Sequence, residues 1–203
     1  TTDVMILVWL IVILIAGGVL ALAIGRLNKA ACPWVALVSV VTGLVLVLSL
    51  WVNSGGGGSD NLAAYRTDWI PAWGISFHLE MDGLSLLMVL LTFFLGTLAV
   101  LASWREVRER TGFYYFNLLW ILAGICGVFL ALDLFLFYFF WELMLIPMYF
   151  LIGIWGSENR VYAAYKFFIF TQAGGLLMLL AILGLYFVHG SNTGQYSFSY
   201  SDL

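Results

Sequence analysis

Charge is what this sequence has least of. Of its 203 residues, 9% are Asp, Glu, Lys or Arg and 64% are apolar, whereas a soluble domain carries about 25% charge. Too little polar surface remains to cover a water-facing globule, which excludes a soluble enzyme, a disordered tail and a collagen-like chain. Basic residues are scarce as well: eight of them, scattered, in a chain of net charge −3. Binding to phosphate backbones needs clustered Lys and Arg, so no nucleic-acid partner is expected. The two cysteines, Cys32 and Cys126, lie far apart in apolar runs. With no Cys-x-x-Cys, neither a disulfide framework nor an iron–sulfur ligand set is indicated. Gly-x-Ser-x-Gly, His-Glu-x-x-His and the dinucleotide fingerprint are missing too.

What is present is apolar sequence in long runs. Six segments, 4–24, 30–52, 83–104, 113–132, 134–155 and 163–188, reach the roughly 20 residues a helix needs to cross a bilayer. Backbone polar groups in lipid must be satisfied within the segment, and these runs do not alternate as the strands of a membrane barrel do. An all-α, polytopic transmembrane helix bundle is therefore predicted, as a single domain over 1–203 set in a lipid bilayer. The first segment is too long for a signal h-region, has no basic flank before it and is followed by further spans, so it reads as a span.

The connecting loops orient this bundle. Arg26, Lys29, Arg105, Arg108, Arg110 and Arg160 fall in alternate loops, against Arg66 alone in the others. The positive-inside rule then predicts an N-terminus outside, with the long loop 53–82 outside too. That loop starts with Asn53, Ser54 and the glycine run Gly55 to Gly58, a flexible linker composition. Its later part carries Trp69, Pro71, Trp73, Phe77 and His78 and is expected to lie along the membrane interface, where Trp is favoured.

Four charges sit in or at the ends of apolar segments: Asp82, Asp133, Glu142 and Lys166. Ionisable groups in hydrocarbon are costly, and they mark function by default. Glu142 stands about 12 Å into the fifth segment at 1.5 Å per residue, near the midplane. Burial and a nearby cation act on such a carboxylate in opposite senses, so it can change protonation as its partner moves, which is what a proton relay needs. The bland alternative is a Glu that only binds neighbouring helices together. Lys166 lies roughly 15 Å from Glu142 along the bundle, beyond direct pairing, and either snorkels to the surface or serves proton uptake. Asp133 precedes Glu142 by nine residues, which puts the two carboxylates on opposite helix faces. Asp133 and Asp82 both read as N-caps. Pro147 is expected to kink the fifth helix just beyond Glu142. The aromatic run Phe135 to Trp141 reads as packing, and His189 as an interfacial residue. His78, Glu80 and Asp82 have poor spacing for metal ligands.

Three stretches carry a resemblance. Asp82-Gly83-Leu84-Ser85-Leu86-Leu87-Met88, Phe140-Trp141-Glu142-Leu143-Met144-Leu145-Ile146-Pro147-Met148-Tyr149-Phe150 and Lys166-Phe167-Phe168-Ile169-Phe170-Thr171-Gln172-Ala173 resemble the M (ND4-type), antiporter-like subunits of proton-pumping NADH–quinone oxidoreductase, respiratory complex I. The likeness covers residues from about 65 to 190. It implies the N-terminal part of a longer chain of about fourteen helices built on inverted repeats, whose seventh-helix lysine and second repeat lie beyond Leu203. It implies a membrane-arm subunit contributing a proton path to redox-driven proton translocation, partnered by neighbouring antiporter-like subunits. It places FMN, iron–sulfur clusters and quinone on other subunits, with no cofactor here, and the chain in a bacterial cytoplasmic membrane or, alternatively, the mitochondrial inner membrane. On this resemblance Glu142 matches an essential fifth-helix glutamate, Lys166 a sixth-helix lysine and Asp133 an aspartate at the start of the fifth helix, and all three are candidate residues for proton translocation. Two other readings stand beside it: a subunit of a multi-subunit cation/proton antiporter or membrane-bound hydrogenase, and a purely structural membrane scaffold.

Overall fold

A computed structural model describes residues 2–53 and 62–203. The glycine run Gly55 to Gly58 lies outside the described residues. Six long helices form: α1 (Thr2–Ile24), α2 (Cys32–Asn53), α3 (Gly83–Glu106), α4 (Thr111–Leu130), α5 (Leu134–Trp155) and α6 (Arg160–Thr193). All six are long and apolar enough to cross a membrane. Helix α5 runs on through Pro147, although proline withholds the N–H that would bond to the Leu143 carbonyl. Helix α6 continues past the predicted segment through Ser191-Asn192-Thr193 and stops at Gly194, whose φ of 74° supplies a left-handed C-cap. A helix need not end where the apolar run ends.

Helix α4 is the centre of the bundle. It packs against α1, α3 and α5, while α2 packs against α1 and α3. Its junction with α1 depends on two glycines: a Cβ on Gly112 would lie 2.7 Å from the Ala21 carbonyl oxygen, and one on Gly25 2.7 Å from the Gly112 Cα. Small residues at such crossings let backbones meet where no hydrophobic driving force exists. Among the described residues, the helix that α6 packs against is α5. The residues α6 buries are Ala164, Gly175, Ile182 and Gly190, a single stripe at helical spacing.

The segment expected to be an interfacial loop is instead a β-hairpin. Strands β1 (Ala63–Ile70) and β2 (Ile75–Met81) pair antiparallel from Ala63↔Met81 to Ile70↔Ile75, with an irregularity between Asp68 and Ile70. Pro71 starts a short 3₁₀ turn, and Gly74, at φ 67°, reverses the chain. Alternation in β2 explains the strand: Ile75, Phe77, Leu79 and Met81 alternate with Ser76, His78 and Glu80. The free edge of β2 is covered by the α4–α5 connection, where Leu132 N–H donates to the His78 carbonyl and Leu79 bridges Ala131. That covering removes the exposed edge an isolated hairpin would present. On the other side of the connection, Leu134 N–H donates to the Phe198 carbonyl and Tyr200 N–H to Leu132. Trp69 packs on Phe135 and Phe139 of α5, so part of the aromatic set assigned to the interface seats the hairpin on the bundle.

Candidate functional site: a carboxylate between α5 and α6

Helix α5 carries the two carboxylates singled out from the sequence, in opposite circumstances. Asp133 is its N-cap and is fully buried. One oxygen accepts the N–H groups of Phe135 (2.9 Å) and Leu136 (3.1 Å). The other accepts the Ser76 N–H (2.9 Å) and the Ser76 hydroxyl (3.2 Å). The backbone of Asp133 also bridges Ser199. One side chain thus answers two orphan amides of α5 and fastens the hairpin to it. Spacing showed the cap; Ser76, the partner from the hairpin, was not legible as such.

Glu142 stands in the middle of α5 and is half-buried. Its Oε1 atom is shut off from solvent and accepts no hydrogen bond from the described residues. What it touches is α6: a Cβ on Gly175 would lie 2.5 Å from Oε1. The carboxylate occupies a notch that exists because residue 175 has no side chain. The Tyr138 hydroxyl, one turn earlier on α5, is a polar neighbour of the same carboxylate. Thr171, one turn before Gly175, gives its hydroxyl to the Phe167 carbonyl of its own helix at 2.7 Å. An enclosed acceptor without a donor is expensive in an apolar setting, and functional sites are where such groups persist.

Lys166 does not join this site. It lies nine residues before Gly175 on α6, about 14 Å along the axis and half a turn around it. Its ammonium is exposed and sits 5.8 Å from the centroid of the Tyr162 ring. Among the described residues the one contact of ion-pair geometry is that of His78 Nε2 with Glu80, at 3.6 Å. Burial, and after it the Arg66 charge, push the His78 imidazole below its ordinary value of 6.5 against the pull of Glu80, Asp133 and Asp202. At neutral pH His78 is therefore uncharged, and its contact with Glu80 is not a charge pair. Asp82 turns to the Ser85 N–H (2.7 Å) as the N-cap of α3, and that bond holds its carboxyl below the usual 3.8. His78, Glu80 and Asp82 thus do not converge on one point. A polar cavity of about 630 Å³ opens at the hairpin end of the bundle, with Arg66, Asp68, His189 and Asp202 in its wall; it is separate from Glu142.

Comparison with known proteins shows which family the chain falls in. Residues 131–201, a span containing Asp133, Glu142, Lys166 and Gly175, match the family described as NADH:quinone oxidoreductase/Mrp antiporter, TM. Over 98% of its length the chain is 52% identical to NADH-quinone oxidoreductase subunit M of Pseudomonas aeruginosa. The chain belongs to the NADH–quinone oxidoreductase subunit M family. The subunit M of Escherichia coli K12 is 50% identical over 98% of the chain. The fold superposes on a chain of respiratory complex I from Thermus thermophilus, solved with bound NADH, at a TM-score of 0.79 and 28% identity, covering 97% of this chain and 38% of that one. The chain spans 42% of the Pseudomonas relative and 41% of the Escherichia one. As a subunit M family member it is a multi-pass membrane protein. Within that family frame, Glu142 is the ionisable group enclosed at mid-helix, and Gly175 is the residue the sequence did not single out. The signal for it was the Gly174-Gly175 pair inside an apolar helix.

Proposed function

We propose that this chain forms part of a membrane-arm subunit of an NADH–quinone oxidoreductase and contributes a proton path to redox-driven proton translocation, with Glu142 as the group that gains and releases the proton. The observation that carries this reading is the enclosed, donor-free Oε1 of Glu142 halfway along an apolar helix. A carboxylate that only held helices together would have its oxygens bonded, as those of Asp133 are. In this reading the proton partners of Glu142 lie on further helices of the subunit and on neighbouring antiporter-like subunits. FMN, iron–sulfur clusters and quinone belong to other chains. Asp133 keeps the first turn of α5 in place, and Lys166, on the far face of α6, serves uptake from the end of the bundle.

The orientation proposed is N-terminus outside, in a bacterial inner membrane. The loop residues Arg26, Lys29, Arg105, Arg108, Arg110 and Arg160 gather at the end opposite the hairpin, where the Trp155 indole donates to the Glu109 carbonyl. Labelling of a Trp73→Cys variant by a membrane-impermeant thiol reagent is expected from the outer side. Reaction from the cytoplasmic side alone overturns the orientation.

The function is tested with Glu142→Gln in the full-length chain, in membrane vesicles carrying the assembled complex. Electron transfer from NADH to quinone and the proton gradient are recorded together. Loss of both with assembly intact is expected. Wild-type values for both make the carboxylate structural and remove the basis for the proposal. Electron transfer and a quinone-driven gradient also separate this reading from a cation/proton antiporter, which needs neither NADH nor quinone.

A further inference from the structure

We propose that Gly175 is a positioning residue for Glu142: by withholding a side chain, α6 opens a notch that takes Oε1 and fixes where on the α5–α6 seam the carboxylate exchanges its proton. The inference rests on the reading of Glu142 as the proton-carrying group. Two independent observations meet here. Oε1 is enclosed and has no hydrogen-bond partner among the described residues, so none of their donors holds that oxygen in place. Yet it sits 2.5 Å from where a Gly175 Cβ would be, inside the 3.4–4 Å of ordinary contact. The seat of Oε1 is set by shape, while the Tyr138 hydroxyl is the polar partner of the carboxylate as a whole.

The notch is particular to this residue. Gly174, its neighbour, has nothing within 4 Å of its would-be Cβ, and the same is true of Gly184 three turns away. Gly175 is buried and Gly174 is exposed, so α6 carries two adjacent glycines of which one faces the carboxylate. Glycine is a poorer helix former than alanine, a cost that close approach at residue 175 explains and helix formation does not. An alanine at 175 would make the carboxylate retreat by about 1 Å, which the three-torsion Glu side chain can do without moving the helices. A misplacement on the order of 1 Å is enough to slow a geometry-dependent transfer by up to about 100-fold.

The experiment compares Gly175→Ala, Gly174→Ala, and Gly175→Ala combined with Glu142→Asp, each in the full-length subunit of the assembled complex in vesicles. Expected for Gly175→Ala is proton pumping lowered by about tenfold to 100-fold, with a pH profile displaced from wild type. Gly174→Ala is expected to pump as wild type, since it makes the same change of helix propensity in open space. Glu142→Asp, one methylene shorter, clears the added methyl and is expected to return part of the pumping lost in Gly175→Ala. If Gly175→Ala assembles poorly, the same clash predicts that the double variant restores assembly. Wild-type pumping and pH profile in Gly175→Ala, equal losses in both alanine variants, or no rescue by the shorter acid each overturn the proposal. Glu142→Gln, measured alongside, separates the two claims. If it keeps full activity, the underlying reading fails. If it abolishes pumping while Gly175→Ala does not, only the role of Gly175 fails.

Discussion

Two carboxylates nine residues apart on one helix have been given opposite surroundings. Asp133, at the start of α5, is fully buried and accepts four hydrogen bonds, two from its own helix and two from Ser76 of the hairpin. Glu142, at mid-helix, is half-buried and has an enclosed oxygen that accepts none. The two groups share their chemistry and differ in who can donate to them. The first turn of any helix has spare N–H groups, and an acid placed there finds partners at once. The middle of a helix has none to spare, because each amide is already bonded within the helix. A carboxylate there must look to side chains such as the Tyr138 hydroxyl, to other helices, to water or to a proton. The contrast separates a carboxylate whose two oxygens are both bonded from one that leaves an enclosed oxygen unbonded.

The comparison breaks most visibly at Asp133. Asp133→Ala leaves two buried N–H groups, a part-buried one and a hydroxyl without their acceptor, each buried group costing about 1–3 kcal/mol, so a local loss of roughly 3 kcal/mol or more is expected. Hydrogen exchange of the β2 amides in the assembled protein should then speed up by about 100-fold or more. An unchanged exchange rate would mean that the hairpin is held by its aromatic contacts alone. Ser76→Ala is the finer cut. It removes the 3.2 Å hydroxyl bond and keeps the 2.9 Å amide bond, for an expected loss of about 0.5–1.5 kcal/mol seen in the same amides. An effect as large as that of Asp133→Ala would assign the hydroxyl the main share. Glu142→Gln is expected to leave these amides unchanged while pumping is lost, because no hydrogen bond among the described residues depends on its enclosed oxygen. A general loss of protection in that variant would make Glu142 a second structural acid and erase the contrast.

The spans were the most legible part, because in lipid a helix is the way a lone segment satisfies its own backbone. The caps at Asp82 and Asp133 were legible for a related reason: a short acid before an apolar run meets free amides. The hairpin was missed although Ile75, Phe77, Leu79 and Met81 alternate strictly with polar residues. Pro71 and the Trp69 and Trp73 pair drew the reading towards an interfacial loop. The separation of Glu142 from Lys166 could be worked out from rise per residue alone. The neighbour that Glu142 has could not, since Gly175 carries no chemistry of its own and is defined by what packs beside it.

Composition and pattern by themselves determined a membrane bundle of six helices, the position of a carboxylate at mid-helix and the likeness to the subunit M family, because burial in hydrocarbon limits both the backbone and the charges a chain can carry. Only the tertiary structure decided which carboxylate is satisfied and which is not. That depends on what a strand and a helix far away in sequence present at a few ångströms: donors from Ser76 to Asp133, and to Glu142 the bare backbone of Gly175.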